Sequence, residues 1–68
     1  MSRLFSSREI IRILQNQGFI QVGQKGSHIK LKKEDQTVIV PHPKKEIPTG
    51  TYHSILRQSG LKKEDFDK

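Results

Sequence analysis

A helix, three antiparallel strands and a second helix, folded as a two-layer α+β sandwich (α-β-β-β-α), is the architecture the sequence predicts. Three observations lead to it. Apolar residues recur at helical spacing near both ends, at Ile10, Ile11, Ile13 and Leu14 and again at Tyr52, Ile55 and Leu56. Between them, residues 28–33 alternate, with Ile29 and Leu31 set against His28, Lys30 and Lys32. The chain is 68 residues long, which leaves room for one small core and therefore one domain over 1–68.

The first helix is expected at about 7–17. Ser6 followed three residues later by Glu9 has the form of a capping box, Phe5 is placed to staple against Ile10, and Gly18 supplies the left-handed residue that ends a helix. Phe19 to Val22 is strand-favouring, and the two glycines in Gly23 to Ser27 suit a turn. His28 to Lys33 forms the second strand, half buried, with an imidazole and two ammonium groups in a row on its wet face. Glu34-Asp35-Gln36 makes a polar hairpin turn, and Thr37 to Val40 forms a third strand stopped by Pro41. Pro41-His42-Pro43-Lys44-Lys45 is an extended loop. A second helix follows from roughly 50 to 59, with Thr49 as candidate N-cap and Gly60-Leu61 as a glycine C-cap with its hydrophobic contact. From about 62 the tail either makes a short turn through Phe66 or frays. Two helices of this length cover one face of a three-stranded meander and leave the other wet.

Composition narrows the function. Lys and Arg number 13 against 7 Asp and Glu, a formal charge of +6 that favours a polyanionic partner, although a solvated surface that keeps a small protein soluble accounts for it equally well. Glu9 is the one acid before Glu34, whereas Arg3, Arg8, Arg12, Lys25, Lys30, Lys32 and Lys33 share that stretch. There is no cysteine, so neither a disulfide nor a thiolate metal site staples the fold, and a reducing cytoplasm is the natural setting. Apolar runs such as Val38-Ile39-Val40 fall far short of a membrane span, and Met1-Ser2-Arg3 is not followed by a signal core. No membrane association is expected.

Most catalytic constellations fail on residue type. His28, His42 and His53 sit in three different elements without accompanying carboxylates, so no protein-bound metal or other cofactor is expected. No serine stands on a strand-to-helix elbow, and Gly23-Gln-Lys-Gly26 leads into a strand rather than a phosphate-binding helix. What remains is Lys25-Gly26-Ser27-His28 followed by alternating lysines. Cleaving RNA without a metal needs a group to move a proton at the 2′-hydroxyl or the leaving oxygen, together with cations near the phosphate. Histidine does the first and lysine the second. Gly26 would let the backbone approach a phosphate, and Ser27 could hydrogen-bond it. On spacing alone, a solvent-facing histidine on a strand is more often inert than catalytic.

Several short motifs then line up. Gly26-Ser27-His28 heads a basic strand, Val40-Pro41-His42-Pro43 follows with Lys-Glu shortly after, and Gly50-Thr51 opens a helix ending Ile55-Leu56-Arg57-Gln58-Ser59-Gly60-Leu61. In this order and spacing the chain resembles the HicA toxins over about residues 6 to 61. The resemblance implies a fold like that of a double-stranded-RNA-binding domain, cleavage of messenger RNA with His28 as the catalytic residue, and neutralisation by a HicB-type antitoxin protein. By that resemblance Gly26 and Ser27 shape the approach to His28, and the residue pattern itself makes Lys25, Gly26, Ser27, Lys30 and Lys32 the RNA-binding candidates. The family loop often reads Pro-x-His-Pro, whereas Pro41 and His42 are adjacent here, so sequence does not fix His42 relative to the active face. His53 reads as a surface residue and Tyr52 as core.

The principal alternative is a non-catalytic RNA-binding module of the double-stranded-RNA-binding type, since fold and charge would also read A-form backbone by shape. Such domains carry a Lys-Lys-x-Ala-Lys cluster at the start of the last helix, where this chain has Thr49-Gly50-Thr51-Tyr52. A third class, a small ribosome-associated structural protein, fits the charge but entails no RNA turnover.

Overall fold

Helix α1 (Ser7–Asn16) begins where the sequence marks it. Ser6 Oγ accepts the Glu9 N–H at 3.1 Å while Glu9 Oε1 accepts the Ser6 N–H at 2.9 Å, satisfying two orphan donors reciprocally. The computed structural model describes residues 4–67; Met1 to Arg3, noted above for the lack of a signal core after them, and Lys68 lie outside the described residues. At the far end Gly18, at φ +100°, lets its own N–H reach Gln15 O and the Phe19 N–H reach Leu14 O, both at 3.0 Å. That pair of bonds closes the helix, and Phe19 and Leu14 both enter the core.

The sheet differs from expectation at its first strand. Strand β1 spans Ile20–Lys25, so Phe19 belongs to the helix stop and the expected turn over Gly23 to Ser27 shrinks to Gly26-Ser27. Gly23 is not in the left-handed region. It instead follows Val22 in a bulge between Gln21 and Gly23, which lets the strand continue. Strand β2 (His28–Lys33) lies between β1 and β3 (Gln36–Pro41), antiparallel to both. Gln36 pairs with Lys33, which narrows the second turn to Glu34-Asp35, and Pro41 is still within the ladder opposite His28.

Helix α2 (Thr49–Ser59) starts one residue earlier than expected. Its N-cap is Pro48 and Thr49 lies inside the helix; no side chain caps the start, because proline has none to offer. The glycine stop matches expectation: Gly60 is left-handed at φ +71° with its N–H on Leu56 O at 3.0 Å, and a Cβ there would run into the Gln36 side-chain amide. The tail does not fray within the described residues. It forms a single-turn helix α3 (Lys63–Phe66) whose Phe66 is buried.

Both long helices pack on β3, and α1 also reaches β1, so they roof one face of the sheet. The core beneath is Ile10, Leu14, Phe19, Ile29, Leu31, Val38, Val40, Ile47, Ile55 and Phe66. Each such side chain contributes about 1.5–3 kcal/mol when fully buried. Phe5, expected to staple Ile10, joins an edge-and-tilt aromatic cluster with Tyr52 at 5.6 Å and Phe66 at 6.1 Å between ring centres. The outer edge of β3 is partly closed by a side chain, since Ile39 N–H donates to Gln58 Oε1 at 3.2 Å. The other face of the sheet is open, and no helix among the described residues is long and apolar enough to cross a membrane.

Candidate active site

Register maps the open face as three rows, because directly paired residues point to the same side. Lys25, His28 and Pro41 form the first row; Gly23, Lys30 and Ile39 the second; Ile20, Lys32 and Thr37 the third. Ile29 and Leu31 are buried on the opposite side, so the alternation seen in the sequence holds. His28, Lys30 and Lys32 are all exposed. With a rise of about 3.3 Å per residue, Lys30 stands roughly 7 Å and Lys32 roughly 13 Å along the strand from His28. None of the three rows contains an acid, so the cations there act on whatever occupies the face without an internal counter-charge.

The turn before His28 has a conformational reason for its sequence. Lys25 pairs with His28 across two residues, and Gly26 takes the positive φ of +58° that such a tight hairpin requires. Ser27 contributes its carbonyl to the scaffold, accepting the His42 N–H at 2.7 Å, while its side chain is exposed. A depression of about 600 Å³ lies here, lined by residues 23–28 with Lys30 and Ile39. The structure therefore brings together Lys25, Gly26, Ser27, His28 and Lys30. Lys32, named with them from sequence, lies on the same face but outside the depression.

A larger depression of about 810 Å³ is on the helix side, between α1, α2 and α3, and contains none of those residues. Its lining mixes charges, Glu9 and Asp67 with Arg12 and Lys63, around the Phe5, Tyr52 and Phe66 rings. Tyr52 is thus a packing residue on the far side of the molecule from His28, and its hydroxyl is buried without a hydrogen-bond partner. Burial first, and the Asp67 carboxylate second, push the Tyr52 phenol above its ordinary 10.0. His53 is exposed next to that ring. Among the described residues no three His, Cys, Asp or Glu side chains come together as a metal-binding group.

Comparison with known proteins matches the chain to the family described as the HicA toxin of bacterial toxin-antitoxin systems, over residues 7–61. The chain belongs to the HicA toxin family. It is also similar to a solved chain from a toxin-antitoxin complex from Streptococcus pneumoniae, with 32% identity and a TM-score of 0.73, covering 84% of this chain and 98% of that one. No curated protein matches it. The HicA match takes in the Gly26-Ser27-His28 turn and the Pro41-His42-Pro43 loop and stops at Leu61, so α3 with its buried Phe66 lies beyond it.

Sequence reasoning did not place His42, and it missed the residue that holds it. His42 N–H bonds Ser27 O, one step beyond the Pro41–His28 pair, so alternation turns its side chain to the roofed side, away from His28. There Nδ1 lies 2.7 Å from Ser7 Oγ. The Ser7 hydroxyl also accepts the Lys44 N–H at 2.9 Å and lies 3.2 Å from Lys44 O, while Ser7 N–H donates to Lys44 O at 2.9 Å. The hydroxyl has one proton to give. When it goes to His42 the ring carries hydrogen on Nε2; when it goes to Lys44 O, the ring donates from Nδ1. Either way the start of α1 straps the loop that supports the His28 turn, and the His42–Pro43 peptide is cis within it. Ser7 reads in sequence as an ordinary first-turn residue behind the Ser6 cap, and no periodicity signals its role.

Proposed function

We propose that this HicA-family chain is a metal-independent endoribonuclease that cuts messenger RNA in the cytoplasm with His28 as its proton-transfer group. The observation that supports it best is the position of His28: exposed, at the mouth of a depression, next to a tight glycine turn and flanked by Lys25 and Lys30, with no acid among the described residues that line the depression. In the proposed step the imidazole takes the proton of a ribose 2′-hydroxyl. The 2′-oxygen bonds to the adjacent phosphorus, the bond from phosphorus to the 5′-oxygen breaks, and that oxygen leaves with a proton from solvent. Lys25 and Lys30 offset the charge that gathers on the phosphate, with Gly26 and Ser27 shaping its approach and Lys32 holding the strand further along. The side chains around His28 offer no carboxylate to carry a divalent ion, which is why the RNA's own hydroxyl serves as nucleophile.

A HicB-type antitoxin protein is the partner the family membership suggests, and the similar Streptococcus pneumoniae structure is a toxin-antitoxin complex. An antitoxin with acidic or polar groups would compete with RNA for the lysine face. The test is incubation of purified protein with a long transcript in excess EDTA. Cleavage should persist, leave 2′,3′-cyclic phosphate ends, and fail on a substrate that is 2′-deoxy at the cut site. A requirement for magnesium, or cutting of the deoxy substrate, contradicts the mechanism, and binding without any cutting favours the RNA-binding module instead.

A further inference from the structure

The open face carries more than cations. Ile20 is 68% exposed, Val22 53% and Ile39 38%. Register puts Ile20 beside Lys32 and Ile39 beside Lys30. Val22 follows Gln21, which pairs with core-facing Leu31, so alternation turns it onto the open face at the bulge, next to the Gly23–Lys30 pair. Lys30 on the middle strand thus has Val22 on one side and Ile39 on the other. Its four methylenes continue the apolar surface between them, giving a floor about 10 Å wide across three strands spaced roughly 4.8 Å apart. The depression at His28 runs onto this floor through Gly23, Lys30 and Ile39.

Gly23 lies at the bulge of β1, where a strand glycine is common, and its φ is not positive. A Cβ there would meet nothing within 4 Å, so its missing side chain also leaves the floor uncovered next to the His28 site.

We propose that this floor seats an unpaired nucleobase of the RNA strand whose backbone passes His28. The inference rests on the nuclease reading above and adds the form of substrate that the face accepts. Lysine head groups beside the floor match phosphates, and an aliphatic surface one base wide matches the apolar face of a base. A duplex offers no such face, since its bases are stacked inward and it presents phosphates and 2′-hydroxyls. Single-stranded RNA, with bases splayed onto a platform and its backbone along cations, satisfies both halves.

The experiment measures affinity for an RNA oligonucleotide made non-cleavable by 2′-deoxy substitution at the cut site, single-stranded and as a duplex, across a salt series. Val22→Thr and Ile39→Thr keep β-branched side chains suited to a strand. Gly23→Val covers the floor while favouring the strand, so its thermal unfolding should be at least as high as the parent's. Each variant should bind the single strand severalfold more weakly, with an unchanged slope of log affinity against log salt. Lys30→Gln, in contrast, should flatten that slope by about one ion. Parental binding affinity in the folded Val22→Thr, Ile39→Thr and Gly23→Val chains overturns the proposal, and so does tighter binding of the duplex than of the single strand. Loss of antitoxin binding with RNA binding intact would assign the floor to the protein partner and overturn it as well. Because binding is measured on uncut RNA, failure of the parent to cleave a transcript would contradict the nuclease reading alone.

Discussion

Removing the buried Ser7 hydroxyl should lower stability measurably, and it should reach the active face indirectly. Ser7 is buried, and its Oγ makes the 2.7 Å contact to His42 Nδ1 and accepts the Lys44 N–H at 2.9 Å. Ser7→Ala leaves both partners without that oxygen. A net hydrogen bond is worth about 0.5–1.5 kcal/mol, and a buried group left unpaired costs more. Lys44 is exposed, so water replaces part of what its amide loses, while half-buried His42 is harder to resolvate. The expected loss is about 1.5–2 kcal/mol, which for a domain this small lowers the midpoint of thermal unfolding by about 6–16 °C. The backbone bond from Ser7 N–H to Lys44 O survives the substitution, so the native fold should persist at 25 °C. Amide exchange at His42, whose N–H holds Ser27 O, should quicken, and RNA cleavage should fall severalfold rather than by orders of magnitude. Thermal unfolding by circular dichroism, with hydrogen exchange on the same sample, checks this. An unfolding midpoint within about 2 °C of the parent would show that the strap carries no stability and refute the reasoning.

Tyr52→Phe removes a buried hydroxyl that has no partner, so it should stabilise the chain at neutral pH by about 0.5–1 kcal/mol. The phenol is raised above 10.0, so below pH 10 both folded and unfolded chains keep the proton and ionisation contributes nothing. Above pH 10 the unfolded chain releases its proton first, stability falls as pH rises, and Tyr52→Phe should lose less stability there; equal alkaline losses would contradict the burial of the hydroxyl. Charge reversal at Lys30 and Lys32 should weaken both RNA cleavage and antitoxin binding by tenfold or more, whereas reversal at Lys62 and Lys63 should leave both within about twofold. Equal sensitivity of the two pairs, measured by titration and cleavage in the same samples, would argue against the open face as the shared surface.

Much of the fold is legible in the amino-acid sequence because local signals agree with the tertiary arrangement. Ser6 and Glu9 cap α1 as expected, Gly18 and Gly60 stop their helices, and the alternation from His28 to Lys33 gives the correct face for each side chain. The departures have physical reasons. Gly23 looks like turn punctuation, but a bulge absorbs it within β1, and nothing in six residues that are all exposed marks where that strand ends. Ile47 carries no periodicity in a Lys-Lys-Glu-Ile-Pro loop, yet it is fully buried, held by its N–H on Phe5 O at 2.7 Å. Phe66 lies in a tail too short to show a pattern, and it is buried in the core against the rings of Tyr52 and the distant Phe5. His42 is hidden from sequence for the same reason: its partner Ser7 is 35 residues away.

The most direct measurement is cleavage of a long transcript by purified parent and His28→Ala proteins at equal concentration, with thermal unfolding recorded on both. His28 is exposed at the start of a strand that Ile29 and Leu31 anchor, so its truncation should change stability by no more than about 0.5 kcal/mol, a few degrees in midpoint. Loss of proton transfer should slow cleavage by about 10²–10⁴-fold. A folded His28→Ala protein that degrades the transcript within a fewfold of the parent rate would contradict His28 as the catalytic residue.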